Sequence, residues 1–409
     1  MTDYRKTLEQ HMLRLKQEGN YRYFLDVQKS ARDFPRFYYE DAQGNTRTAV
    51  NWCSNDYLCM SVHESVAGRL AEVARQSGAG SGGTRNISGT TVCHRELEQT
   101  LASLHRKEAA LLFGGAYLAN VTALSTLGKL FPGMVFLSDE RNHASIIEGI
   151  KHSGAEKMIF RHNDIQHLEQ LLTGLPADRP RMIVFESVYS MSGNIAPVEA
   201  IVRLAQQHNA LTYVDEVHAV GLYGRDGGGI SALLQADHAP DIINGTLAKG
   251  FGVTGGYIAA DRVIADAVRS FGSGFIFTTS LPPAICAAAA RSIRIVREDH
   301  RLRLLFHEKV RQLRQMLAAY SVPWIPNPGH ITPVRIGDAV RCREIAERLL
   351  DECGVYVQPV NYPTVPKGEE CLRITVTTRH SEADMVCLAE SLQYLLQADR
   401  QHHSVYIAA

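Results

Sequence analysis

The 409-residue sequence predicts an α/β protein with two parts: a large domain built on a mostly parallel central sheet, then a smaller C-terminal α+β domain. Two observations lead there. Six short runs, "AALLF" (109–113), "MVFLSD" (134–139), "RMIVFESV" (181–188), "LTYVDEVH" (211–218), "DIINGTL" (241–247) and "GGYIAA" (255–260), are almost continuously apolar and alternate with helical stretches. Strands need that composition when helices cover both faces of a parallel sheet. From about residue 285 the rhythm changes to a long Ala- and Arg-rich helical stretch, then "ITPVRIG", a helix near 341–353, "VYVQPV", "CLRITVT" and a last helix near 381–398. The expected organisation is therefore an N-terminal segment (1–60), a large domain (61–285) and a small domain (286–409). In the first segment Leu8, Met12, Leu13 and Leu15 have a loose helical period that Gly19 ends, which reads as an arm or docking helix.

Composition removes several classes of function. Lys and Arg total 43 and so do Asp and Glu, so no net field draws in nucleic acid or anionic lipid. Eight cysteines are scattered without a C-x-x-C pair, against a zinc knuckle or a disulfide framework, so no metal is expected and a reducing cytoplasm fits best. Asp3, Glu9 and Glu18 interrupt the first residues, which carry no secretory or transit pattern, so the mature chain is expected to start near Met1. No run approaches the roughly 18 apolar residues that span a bilayer.

Ligands of open α/β sheets collect beyond the carboxyl ends of the strands, so polar residues closing the apolar runs are the ones to weigh. "NGTLAKGFG" (244–252) sets Lys249 among small residues just past one run. "LTYVDEVHAVG" closes on Asp215 and reaches His218, and "MVFLSDERNHAS" leads to His143. "FGGAYLAN" carries a Gly-Gly turn into a helix, and "FIFTTSLPP" offers Thr278 and Thr279 at the end of a strand that Pro-Pro stops. Each has a plain structural reading when taken alone: a surface lysine, an ion-paired or capping aspartate, satisfied histidines, a tight turn, hydroxyl N-caps. Together they supply an amine, a carboxylate, an imidazole and a helix N-terminus suited to an anion. Pyridoxal 5′-phosphate uses all four, being held on a lysine with an acid on its ring nitrogen.

The segments "WCSNDYL" (52–58), "GAGSGGTRNISGTT" (78–91), "ERNHASIIEGI" (140–150), "FESVYSM" (185–191), "VDEVHAVGLYG" (214–224), "NGTLAKGFG" and "YPTVPKGEECLRIT" (362–375), in this order, resemble the α-oxoamine synthases among the fold-type I pyridoxal-phosphate enzymes. The resemblance covers nearly the whole chain, from about Gly19 to about residue 395. It implies that Lys249 carries the cofactor and shuttles protons, Asp215 pairs with the ring nitrogen, His143 stacks on the ring, and Ser190 and His218 bond the ring hydroxyl oxygen. Backbone N–H groups of Ala116 and Tyr117, with the Thr246 hydroxyl, are implied for the phosphate. Thr278 and Thr279 are implied to reach the phosphate of a neighbouring subunit, hence a homodimer with shared active sites.

For substrates, the resemblance implies that Asn55 and Arg373 hold an amino-acid carboxylate. Thr84 stands where related synthases usually carry serine, and its extra methyl crowds any substrate side chain, favouring glycine. Arg22 and Thr364, supported by Asn86, Ile87 and Ser138, match the pair that takes the free carboxylate of succinyl-CoA; a plain fatty acyl chain would leave a buried arginine there without a partner. The implied reaction condenses glycine with succinyl-CoA, releasing CoA and CO2 and giving 5-aminolevulinate, for tetrapyrrole (heme) synthesis or a specialised pathway. Two alternatives stay open: another α-oxoamine synthase with a different acyl-CoA or amino acid, and a catalytically silent dimeric paralogue. The chain departs from the family where "SMSGN" replaces the usual "SMDGD" (Ser192 and Asn194), at Ala248 before the lysine, and at Gly114-Gly115, where serines are common.

Overall fold

The computed structural model describes residues 3–234 and 239–407, with side chains described as far as residue 397. The chain forms two compact units: Asn55–Ser190 with Asn194–Leu305, and a smaller one made of the chain up to Ser54, Met191–Gly193 and the chain from Phe306 onward.

All six apolar runs form strands of one seven-stranded sheet in the larger unit. Its order is Ala109–Phe113, Gly256–Ala260, Ile242–Thr246, Leu211–Asp215, Arg181–Glu186, Val135–Asp139 and Glu156–Phe160. The last five are mutually parallel, whereas Gly256–Ala260 runs antiparallel to both neighbours. Residues 247–255 are too few for a parallel crossover, which needs roughly a dozen residues or more, so the chain can only turn back. Glu156–Phe160 is the strand the sequence does not announce. It is an edge strand with Glu156 and Lys157 exposed and Ile159 48% exposed, so it lacks a continuous apolar run.

Leu124, Phe136, Ile146, Met182, Tyr213, Ile242 and Ile258 are fully buried between the sheet and the helices Ala116–Leu130 and Ala144–Ser153. Burying each such side chain contributes roughly 1.5–3 kcal/mol. The two helices lie so close that a Cβ on Gly149 would sit 2.9 Å from the Asn120 carbonyl oxygen.

Two expectations are corrected here. The segment "FIFTT" is not a strand: Ser273–Ile276 is a helical turn, with the Ile276 and Phe277 N–H groups on the Gly272 and Ser273 carbonyls (both 3.0 Å) and the Thr278 hydroxyl donating to the Gly274 carbonyl at 2.7 Å, so local i→i+4 bonds satisfy this backbone. Pro283 then opens the helix Pro283–Glu298 at its first position, where a missing N–H costs nothing. That helix packs on Glu64–Ser77 and Val92–His105, so it belongs to the larger unit, and the second break falls at 305/306, beyond the 285/286 read from the sequence.

In the smaller unit a four-stranded sheet joins Gln28–Lys29, Arg36–Glu40 and Thr46–Asn51 to Val355–Tyr356, and a three-stranded sheet joins Thr332–Arg335, Cys371–Ile374 and Pro359–Val360. N- and C-terminal chain thus share one sheet. Only the helix Tyr4–Gln17, which buries no residue, has the character of an arm.

Candidate active site

The parallel strands deliver one polar residue after another to their carboxyl ends. Asp215 closes Leu211–Asp215, Glu186 closes Arg181–Glu186, and the two carboxylates are register partners. His218, Ser190, His143 and Lys249 follow within a few residues of their strand ends.

Asp215 is 4% exposed and fully engaged: Oδ2 accepts from Asn120 Nδ2 at 2.7 Å and Oδ1 from the Val217 N–H at 2.9 Å. A directed chain holds it there. The Tyr213 hydroxyl donates to Asn120 Oδ1 (2.8 Å), so the amide nitrogen faces Asp215 and also Ser145 Oγ (2.9 Å). Ser145 in turn gives both its hydroxyl (2.8 Å) and its backbone N–H (3.2 Å) to His143 Nδ1. Nδ1 is therefore the acceptor, and the proton of the neutral ring sits on Nε2.

Burial lowers the His143 pKa; Asp215 raises it and Lys249 lowers it further, so the net shift is downward and the ring is neutral at pH 7. Protonation would have to occur on Nδ1 against two donors. Activity that needs the neutral ring is thus expected to fall only below the ordinary histidine value of about 6.5. Ser145→Ala, which removes one opposing donor, is expected to move the acid limb of a kcat/KM pH profile upward.

Glu186 belongs to the same cluster and the sequence reading did not select it, although it ends a strand by the rule that picked out Asp215. One oxygen accepts the Ser190 N–H at 3.1 Å, and the carboxyl also takes a bond from the His143 backbone; the other oxygen is buried without a partner. Burial pushes its pKa well above the carboxylate range, Asp215 adds to that, and the Ser190 N–H, Lys249 and the His143 N–H oppose it. Glu186 is accordingly held protonated. An acid whose folded pKa is raised costs stability as pH climbs through its unfolded value of about 4.3 toward the folded one. Glu186→Gln, which mimics the protonated shape, is expected to keep the fold and to flatten the decline of Tm above about pH 5.

The end suited to an anion lies at the edge strand Ala109–Phe113. Phe113 runs into Gly114-Gly115, and Gly115 precedes the helix Ala116–Leu130 without a side-chain cap, so the first N–H groups, those of Ala116 and Tyr117, lie at the helix's positive end. A Cβ on Gly114 or Gly115 would meet nothing within 4 Å, whereas one on Gly256 would strike the Ala116 nitrogen at 2.1 Å. Space above the turn and close backbone below it form a cradle for a phosphate. The Thr246 hydroxyl, 4% exposed, donates to the Gly255 carbonyl (3.2 Å) and accepts the Ala248 N–H (3.1 Å).

The profile of aminotransferase class I and II matches residues 47–392. The chain belongs to that family. It is 48% identical over 395 residues to 5-aminolevulinate synthase 1 of Cereibacter sphaeroides, covering 97% of each chain, and 49% identical over 381 residues to the 5-aminolevulinate synthase of Rhizobium meliloti, covering 93% of this chain and 94% of the other. Among solved structures it resembles a serine palmitoyltransferase from S. paucimobilis with PLP and myriocin bound, at TM-score 0.87 and 28% identity, covering 97% and 99% of the two chains. The 8-amino-7-oxononanoate synthase of Francisella tularensis shares the fold, at TM-score 0.72 and 22% identity, covering 86% and 99%. The architecture is the fold-type I transferase fold that the sequence predicts.

The remaining family positions divide between the units. In the larger one, His218 Nδ1 lies 3.0 Å from the Tyr57 hydroxyl, which donates to Asn55 Oδ1 at 3.0 Å, so Nδ1 carries the His218 proton. Thr84 Oγ1 donates to Asn86 Oδ1 at 2.7 Å, Ile87 is 69% exposed, and Thr279 bridges to Thr84. Ser138 is 2% exposed, its hydroxyl accepting from Asn142 Nδ2 at 2.8 Å. Asn194 stands where the family usually has an acid. Its Nδ2 lies 3.0 Å from His162 Nε2, and His162 Nδ1 lies 3.0 Å from Asp139 Oδ1.

In the smaller unit Arg373 is 7% exposed on the strand Cys371–Ile374. Arg22 is solvent-exposed, not buried as the resemblance suggests, because it follows a helix with no buried face. Its segment and that of Thr364 are nevertheless tied together: Asn361 Nδ2 donates to the Gly19 carbonyl at 3.2 Å, and the Thr364 N–H donates to the Asn361 carbonyl at 2.9 Å.

Proposed function

We propose that this chain is a pyridoxal 5′-phosphate-dependent acyltransferase that condenses glycine with succinyl-CoA and, with loss of CoA and CO2, forms 5-aminolevulinate. The observation that carries this reading is the convergence of Lys249, Asp215, His143 and an uncapped helix N-terminus at the carboxyl ends of one sheet, in a chain 48% identical to 5-aminolevulinate synthases. The donor set fits the cofactor: a carboxylate for the ring nitrogen, an open cradle for the phosphate and an amine for the aldehyde. The bound cofactor draws electrons from the amino-acid α-carbon into its ring.

Asp215, locked by Asn120 and Val217, presents a fixed negative charge to the ring nitrogen. Lys249 takes the α-proton of glycine and returns one to the product. His143 covers the ring and polarises the acyl carbonyl through Nε2–H, while Ser190 and His218 hold the ring oxygen. Ala116, Tyr117 and a rotated Thr246 hydroxyl take the phosphate. Asn55 and Arg373 bind the glycine carboxylate, and the Thr84 methyl excludes a larger amino acid. Arg22 and Thr364 take the succinyl carboxylate; Asn86 and Ile87 line that end, and Ser138, committed to Asn142, supports it from behind.

A homodimer is part of the proposal. In the larger unit Val92, Phe277, Ile87 and Phe271 are 66–80% exposed, large apolar side chains that a partner subunit would cover. Thr278 and Thr279 follow Phe277 and would reach the phosphate of the partner subunit. Light scattering at low micromolar concentration is expected to give twice the chain mass. All eight cysteines are free and five are buried, in keeping with a cytoplasmic location, and no helix among the described residues is long and apolar enough to cross a membrane.

The deciding experiment incubates the purified protein with glycine and succinyl-CoA and identifies the product by mass. Serine with palmitoyl-CoA is the control pair; turnover of that pair alone overturns the assignment. Arg22→Leu is expected to raise KM for succinyl-CoA by about tenfold or more while butyryl-CoA, which has no terminal carboxylate, loses its disadvantage.

A further inference from the structure

The loop Gly83–Thr90 carries Thr84, Asn86 and Ile87, the residues set against glycine and the succinyl group in the proposed reaction, on which this inference rests. The loop is closed on itself by Ile87 and Gly89 N–H bonds to the Thr84 carbonyl (3.1 and 2.9 Å) and by the Thr90 hydroxyl on the Arg85 carbonyl (2.5 Å). Ser280 holds one side of this ring, its N–H and hydroxyl on the Gly83 carbonyl (3.1 and 3.3 Å) and its hydroxyl on that of Gly89 (2.6 Å), and Arg85 ties the other side to the edge strand. Arg85 Nε donates to Thr90 Oγ1 at 3.1 Å, and its two terminal nitrogens meet Glu98 fork to fork at 2.7 and 3.0 Å. The side chains are only 11% and 17% exposed, so water screens the pair weakly.

Glu98 does not stop at Arg85. Its Oε1 also accepts the Leu112 N–H at 3.3 Å, on the edge strand that delivers Gly114-Gly115 to the phosphate cradle. The guanidinium lies 5.5 Å from the Phe275 ring centroid, and Phe275, three residues before Thr278, packs edge-on at 5.7 Å against Phe113, two residues before Gly115. A planar fork with all three nitrogens engaged is what Lys cannot reproduce.

We infer that Arg85 and Glu98 are positioning residues that set the register between the substrate loop and the phosphate cradle, and so govern glycine and acyl-CoA affinity without touching the reacting atoms. Arg85→Lys keeps the charge and loses the fork. In the holoenzyme it is expected to raise KM for glycine and succinyl-CoA roughly tenfold with kcat within about threefold, because misplacement weakens binding before it removes any chemical group. Amide hydrogen exchange of the 83–90 backbone is expected to quicken while that of 181–186 stays unchanged. Glu98→Gln, which also weakens the Leu112 bond, is expected to do the same and additionally to loosen cofactor retention on dialysis, read by absorbance.

Unchanged KM values with unchanged exchange in both variants, or a fall in kcat at constant KM, overturn the inference while leaving the reaction assigned. Faster exchange across the whole larger unit also overturns it, since the pair would then be a stability element. Failure of the wild type to use glycine and succinyl-CoA sinks the reading of the reaction instead, and loop exchange in the two variants still decides whether the pair positions the loop.

Discussion

Lys249→Ala is expected to lower kcat by about 10³-fold or more and to leave the fold standing. General acid–base catalysis by a placed side chain is worth about 10²–10⁴-fold, and here the same amine also anchors the cofactor aldehyde. Lys249 is half-buried just past the strand Ile242–Thr246, in a bend whose backbone is held by the Gly252 N–H on the Lys249 carbonyl (3.0 Å), a bond alanine keeps. Its charge reaches both His143 and Glu186, depressing the pKa of each. Two readouts follow besides turnover. With the cation gone, protonation of His143 becomes easier, so its pKa rises. Borohydride reduction of the wild-type holoenzyme should attach the cofactor to the peptide containing residues 244–252. Label on another peptide, or none, would remove the chemistry from this lysine.

What the sequence made legible follows from where each signal is stored. The six strands announce themselves because burial on both faces makes their runs nearly continuous in apolar residues, and the same logic exposes Asp215 and Lys249 as polar endings. Glu156–Phe160 escapes because three of its five side chains face solvent, unlike the other edge strand, Ala109–Phe113, which is almost wholly buried. The orientation of Gly256–Ala260 rests on the shortness of 247–255, which propensity does not weigh. "FIFTT" has a strand's composition, yet its conformation is decided by the Gly272 and Gly274 carbonyls accepting local bonds. Glu186 ends a strand as visibly as Asp215 does. Its role depends on the His143 and Ser190 backbones converging on it from separate loops, a fact held in three dimensions only.

The two neighbouring carboxyl groups also divide labour in a way that no motif displays. Glu186 and Asp215 are register partners on adjacent strands, and like charges this close resist joint ionisation. Asn120 and the Val217 N–H donate to Asp215, while burial and the neighbouring Asp215 raise the Glu186 pKa so that Glu186 holds a proton. In the proposed reaction Asp215 is the acid at the cofactor ring, and Glu186 takes the Ser190 and His143 backbone bonds.

Asp215→Asn is expected to reduce kcat by roughly 10²-fold, with KM for glycine within a few-fold. A carboxylate within about 4–6 Å shifts the pKa of a cationic group by about 1–3 units, so its loss lowers the ratio of protonated to neutral ring by about 10–10³-fold. Asparagine has nearly the same shape but only one acceptor oxygen, whereas two donors converge here, the Asn120 amide and the Val217 N–H. Asn120 cannot turn to help, because the Tyr213 hydroxyl fixes its oxygen at 2.8 Å. One buried donor is left facing another, at a cost of about 1–3 kcal/mol, which a lowered Tm of the variant would report. The catalytic and structural losses separate by a chemical rescue. A cofactor analogue methylated on the ring nitrogen is permanently cationic and needs no acid to hold its proton. If the Asn variant rebuilt with that analogue regains most of its kcat while its Tm stays low, the charge of Asp215 acts on the ring; equal failure with both cofactors would assign the loss to the broken hydrogen-bond chain instead.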